Sequence, residues 1–93
     1  MLKHIVCFKF KDKAQAPIVA EKLRALVGKV ECLRSLECGV DSLGSPRSYD
    51  LVLITTFDSL EDYKAYDQHE AHLKVREYVS AVRESSVAVD YEI

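Results

Sequence analysis

An α+β domain of the ferredoxin-like kind, β-α-β-β-α-β with a four-stranded antiparallel sheet, is the fold class that three observations predict. Four short segments alternate apolar with polar residues, two stretches repeat apolar residues at helical spacing, and turn formers gather in one segment, residues 41–48. The chain has 93 residues, which suits one core and is too short for two, so residues 1–93 read as a single domain.

Residues 3–10, Lys-His-Ile-Val-Cys-Phe-Lys-Phe, are rich in β-branched and aromatic types. As a strand they put His4, Val6, Phe8 and Phe10 on one face and Ile5 and Cys7 on the other. Pro17 suits the first turn of a helix, and Val19, Leu23, Leu26, Val27, Val30 and Leu33 recur at steps of three and four with one step of one, which predicts an amphipathic helix of about five turns. Gly28 would lie inside that helix at a cost of about 1 kcal/mol relative to Ala. Leu36, Cys38 and Val40 alternate as a second strand, which ends in the loop Asp41 to Ser48. Tyr49 to Phe57 is the strongest strand signal. It stops at Asp58-Ser59, where Ser59 with Asp62 three positions on marks a helix start. A short helix then carries Leu60, Tyr63 and Tyr66, and a longer one runs from about His69 to Arg83 with Ala71, Val75, Tyr78, Val79 and Val82 along its apolar side. Val87, Val89, Tyr91 and Ile93 alternate as the last strand.

Composition narrows the function classes. The chain is 48% hydrophobic and 30% charged, with three Gly and two Pro, which excludes disorder and fibrous repeats. Thirteen Lys+Arg against fifteen Asp+Glu leave a formal charge of −2, and the basic residues are scattered among acids. Neither nucleic acid nor a membrane is therefore expected as a partner. The opening residues enter a strand pattern at once and Lys9 and Lys11 interrupt the apolar run, so no signal-peptide core is expected. Cys7, Cys32 and Cys38 are odd in number and lack C-x-x-C spacing, which points to a reducing cytoplasm with no disulfide framework or zinc site, and Cys7 in its strand and Cys32 near the helical stripe read as buried small hydrophobes.

The strands carry a further implication. An antiparallel sheet that meets water on one side should be polar there, yet strand one has Ile5 and Cys7 behind Val6 and Phe8, and strand three has Val52 and Ile54 behind Leu51 and Leu53. A chain this short has no more helices to cover a second face. A homodimer packed sheet against sheet as a barrel is the expected partner arrangement, with a small-molecule pocket between sheet and helices or inside the barrel.

Candidate chemistry centres on the histidines and tyrosines. His4, His69 and His72 suit proton transfer near neutrality, and the phenols Tyr49, Tyr63, Tyr66 and Tyr78 supply acids or oxyanion donors. His4 shares strand parity with Val6 and Phe8, and His72 lies beside the apolar stripe, so both should point inward, with His69 nearer solvent. His69-Glu70-Ala71-His72 is one residue short of H-E-x-x-H, so the metalloprotease reading is rejected. The histidines with His4 as a third ligand make a minority metal reading, and no metal is assigned. Tyr63 is assigned to packing and Ser59 to a helix cap.

Four segments together carry a resemblance: Lys3 to Lys11, Tyr49-Asp50-Leu51-Val52-Leu53 with Thr56-Phe57-Asp58-Ser59, Ala65 to His72, and Val89-Asp90-Tyr91. In this order and spacing the chain resembles the stress-responsive dimeric α/β-barrel (Dabb) family. The resemblance implies a ferredoxin-like protomer that dimerises through its sheet into a barrel. It also implies, from a plant polyketide cyclase of that family that works without cofactor, catalytic roles for His4, Tyr66 and His72. By strand parity or position, Val6, Phe8, Leu53 and Thr55 are the expected pocket walls. Glu70 departs from the family, which usually has Pro there. Two functions follow as expectations: a cofactor-independent cyclase, lyase or isomerase acting on an enolisable carbonyl compound, or a non-catalytic stress-responsive or small-molecule-binding homodimer.

Overall fold

The computed structural model describes all 93 residues, in the order β1 (Leu2–Phe10), α1 (Gln15–Arg24), β2 (Ser35–Val40), β3 (Leu51–Phe57), α2 (Leu60–Gln68), α3 (Glu70–Val82) and β4 (Arg83–Glu92). The four strands form one antiparallel sheet in the order β2-β3-β1-β4. This is the ferredoxin-like arrangement, with the second helical unit divided at His69, whose extended backbone (φ −66°, ψ 138°) ends α2 and caps α3. Ser59 caps α2 as expected, its hydroxyl accepting from the Asp62 N–H at 3.1 Å.

β1 lies in the middle and its pleat divides the molecule. Leu2, His4, Val6, Phe8 and Phe10 are buried beneath the helices, whereas Ile5 and Cys7 are only half-buried on the opposite side. Register carries this division across the sheet. Val6 pairs with Leu53 and His4 with Thr55 on the helix side, and Ile5 pairs with Ile54 and Val89, and Cys7 with Val52 and Val87, on the open side. Val87, Val89 and Tyr91 are 50%, 62% and 42% exposed there, so the protomer presents an apolar sheet face to its surroundings. The helix-side core is built from Phe57, Val19, Leu23, Leu26, Leu53 and Tyr66 among others.

The first helix corrects the sequence expectation. It ends at Arg24, after ten residues, and the chain continues through i→i+3 turns in which Leu26, Val27 and Lys29 donate to Leu23, Arg24 and Leu26. These turns hold Leu26 and Val30 in the core, so the three-to-four-residue spacing persists past the end of the helix, while Val27 turns out to solvent. Gly28 lies outside the helix at φ +86°, in the left-handed region that disfavours a Cβ. No atom lies within 4 Å of a Cβ built there, so the constraint is conformational and not steric crowding by neighbours. Gly28→Ala is expected to destabilise the fold by about 1 kcal/mol in chemical denaturation, because an L-residue there costs about 1–2 kcal/mol; a helix-interior glycine would instead give stabilisation.

Candidate active site

His4, Tyr66 and His72 come from β1, α2 and α3 and are brought into one run of rings. The His4 ring lies 4.7 Å from that of Tyr63, Tyr63 lies 6.3 Å from Tyr66, and Tyr66 lies 4.4 Å from His72. Phe57 packs against both tyrosines, at 5.6 Å and 5.0 Å. Tyr63 and Tyr66 are three apart on α2, so they present neighbouring rings to the sheet. His72 sits in the first turn of α3, directly after the break at His69, which is what turns its ring back onto Tyr66.

Hydrogen bonding fixes which atoms are free. The Nδ1 of His72 lies 3.1 Å from the Asp67 carbonyl oxygen, which can only accept, so Nδ1 carries the proton and Nε2 keeps its lone pair in the neutral ring. Burial holds the His72 pKa below its ordinary 6.5 and favours that neutral form. His4 Nδ1 donates to the Asp90 carboxylate, directly across from it on β4, which leaves the Nε2 of His4 free as well. The Tyr66 hydroxyl is buried without a hydrogen-bond partner, and burial pushes its pKa well above the ordinary 10. Desolvation raises Tyr63 in the same direction. The site therefore holds two imidazoles with one nitrogen each tied down and a phenol kept protonated.

Val6, Phe8, Leu53 and Thr55 lie on the helix side as parity required, and all four are buried. They pack into the core beside His4. Two surface clefts, of about 570 and about 410 Å³, are walled by other residues, and neither includes any of these four or His4, Tyr66 or His72. His69 caps α3, its Nδ1 accepting from the Ala71 N–H at 3.1 Å, and takes no place in the ring cluster. Glu70 is the first residue of α3. That position accepts Pro or an acid equally well, because its N–H has no intrahelical partner and the helix dipole favours negative charge there. No three His, Cys, Asp or Glu side chains gather as a metal site.

Two residues escaped the sequence reading. Asp90 is 86 positions from His4 and meets it only through the β1–β4 register; its one signal was an acid at the parity opposite to Val89 and Tyr91. Tyr63, assigned to packing, links His4 to Tyr66.

A model of the Stress responsive A/B Barrel Domain family matches residues 2–93. The chain belongs to this family. It is 34% identical over 77 residues to an uncharacterized protein of Streptomyces coelicolor, an alignment covering 77% of this chain and 79% of that one. Among solved structures it is similar to a dimeric protein of unknown function and ferredoxin-like fold from Bacteroides fragilis (31% identity, TM-score 0.85, 99% and 95% of the two chains). It shares its fold with a hydroxynitrile lyase from Passiflora edulis (19% identity, TM-score 0.82, 99% and 92%).

A neutral buried His72 makes stability depend on pH in a definite direction. The unfolded chain takes up this proton near pH 6.5 and the folded chain only at lower pH, so on acidification below about 6.5 the unfolded state binds more protons and stability falls. Urea denaturation of the A/B barrel protein between pH 7.5 and 5 is expected to show this decline, with a shallower slope in His72→Asn.

Proposed function

We propose that this A/B barrel protein is a cytoplasmic homodimer, closed sheet against sheet, that performs cofactor-independent acid–base chemistry on an enolisable carbonyl compound. The observation that carries the catalytic part is the partnerless Tyr66 hydroxyl beside the ring of His72. A buried hydroxyl without a partner is costly, and one placed next to an imidazole with a free nitrogen suits an oxygen that arrives with substrate.

In this reading His72 Nε2 takes a proton from the carbon next to the carbonyl. The electron pair of that C–H bond forms the enolate C=C as the carbonyl π pair moves to oxygen, and Tyr66 donates its hydrogen bond to the oxyanion. The raised pKa of Tyr66 keeps it a donor at neutral pH, where burial holds His72 neutral. His4, oriented by Asp90, would position the substrate or exchange the proton. Positioned acid–base groups of this kind contribute typically about 10²–10⁴-fold each. The hydroxynitrile lyase among the fold neighbours is consistent with such chemistry on this scaffold and assigns none to this chain.

A non-catalytic, small-molecule-binding or stress-responsive homodimer is the second reading. It is favoured by the burial of Val6, Phe8, Leu53 and Thr55 and by the absence of His4, Tyr66 and His72 from the walls of the clefts of about 570 and about 410 Å³. Hydrogen–deuterium exchange at carbon, followed by NMR for a panel of β-dicarbonyl compounds, separates the two. Exchange above the buffer rate that falls at least about 100-fold in both His72→Asn and Tyr66→Phe supports catalysis. Exchange on no compound, or exchange unchanged in both variants, favours the binding reading. Tyr66→Phe is expected to fold with unchanged or slightly higher stability, since it removes an unsatisfied group.

The dimer rests on the apolar open face of β1, β3 and β4, and on the dimeric Bacteroides fragilis neighbour. Light scattering is expected to give about twice the protomer's 10.5 kDa. Ile54→Lys, which puts a charge opposite Ile5 at the centre of that face, is expected to shift the mass toward the monomer; a wild-type monomer at all concentrations overturns the assembly.

A further inference from the structure

A second place on the molecule has the form of a ligand site, and it lies on the helix layer, with none of His4, Tyr66 or His72 among its walls. The cleft of about 570 Å³ between α1 with its following turns and α3 falls within the size of typical small-molecule sites, about 300–1,000 Å³. Leu26, Val75 and the ring of Tyr78 are among its apolar walls. Tyr78 is fixed there because its hydroxyl donates to Gln15 Oε1 at 2.6 Å. Three lysines border this apolar surface. Lys22 holds its ammonium 4.4 Å from the centre of the Tyr78 ring, and neither Lys22 nor Lys29 takes part in any of the molecule's ion pairs. Lys74 meets Glu70 at 3.8 Å, the one carboxylate on the cleft.

Three cations against one anion give the cleft a positive balance in a chain whose formal charge is −2. We infer that this cleft binds an amphiphilic monocarboxylate, its apolar body against Leu26, Val75 and Tyr78 and its carboxylate at the unpaired Lys22 and Lys29. The complementarity is specific in sign: an alkylammonium of the same length would meet like charge.

Octanoate, kept below its micelle concentration, is the probe, titrated into the full-length protein and followed by amide chemical shifts. Saturable shifts confined to residues 22–29 and 69–78, weaker at higher salt, are expected. Lys22→Glu with Lys29→Glu, both exposed positions, should weaken binding at least about tenfold, a loss of about 1.4 kcal/mol or more, in a protein whose amide spectrum away from the cleft shows the native fold retained. Octyltrimethylammonium should not bind. Shifts centred on the open sheet face, equal binding of the cationic analogue, or unchanged affinity in the charge-reversed protein would each overturn the assignment. Activity at Tyr66 and His72 is a separate readout and its absence leaves this test intact.

Discussion

Everything in this molecule depends on β1 being hydrogen-bonded on both edges. It is paired with β3 from Leu2 to Phe8 on one side and with β4 from Leu2 to Phe10 on the other, and so fixes the register of both the first-to-third and the first-to-last strand pairs. Strand side chains alternate with period two, so a slip of one residue would send His4, Val6 and Phe8 to the open face and Ile5 and Cys7 under the helices. The core, the apolar outer face and the meeting of His4 with Asp90 are therefore one constraint expressed three times. A mispaired sheet would lose all three together.

The same register explains why the ring cluster lies where it does. The helices cover β2, β3 and one face of β1, and every residue of β4 remains exposed, including those on the helix side. His4 thus stands at the boundary between covered and uncovered sheet. Its ring is buried by Tyr63, while its Nδ1 reaches a carboxylate on the uncovered strand. Asp90 keeps its hydration in part, at 44% side-chain exposure, so the pair avoids the full desolvation cost of a buried charge. Further in, Tyr66 is 1% exposed and bears that cost as an unsatisfied hydroxyl. Polarity across the cluster runs from a solvated carboxylate to an isolated phenol.

The sequence made most of this legible where local periodicity was the controlling physics. Alternation placed His4, Val6, Phe8 and Phe10 opposite Ile5 and Cys7, and Leu51, Leu53 and Phe57 opposite Val52 and Ile54, as the strands have them, and Ser59 marked the start of α2 because its cap is a contact three residues long. Legibility ended where two conformations share one period. Apolar residues at steps of three and four fit an α-helix and a succession of i→i+3 turns alike, so the stretch from Ala25 to Val30 read as helix although Gly28 turns left-handed within it. It ended again where a partner is set by register across the whole chain. Nothing near Asp90 reveals that it faces His4; only the pairing of first and last strands does.

Tyr63 shows a different limit. Its ring is as well packed as the sequence suggested, in contact with His4, Phe57 and Tyr66. Packing and participation are not alternatives for such a residue, because the ring that fills the space between His4 and Tyr66 also excludes water from both. Removing water lowers the local dielectric, which disfavours a charged His72 and an ionised Tyr66. The apolar contacts that stabilise the protomer are thus the same contacts that hold a neutral acceptor and a protonated donor side by side. An A/B barrel chain of this length has no separate scaffold on which to mount such a pair, so Tyr66 stands within the core itself.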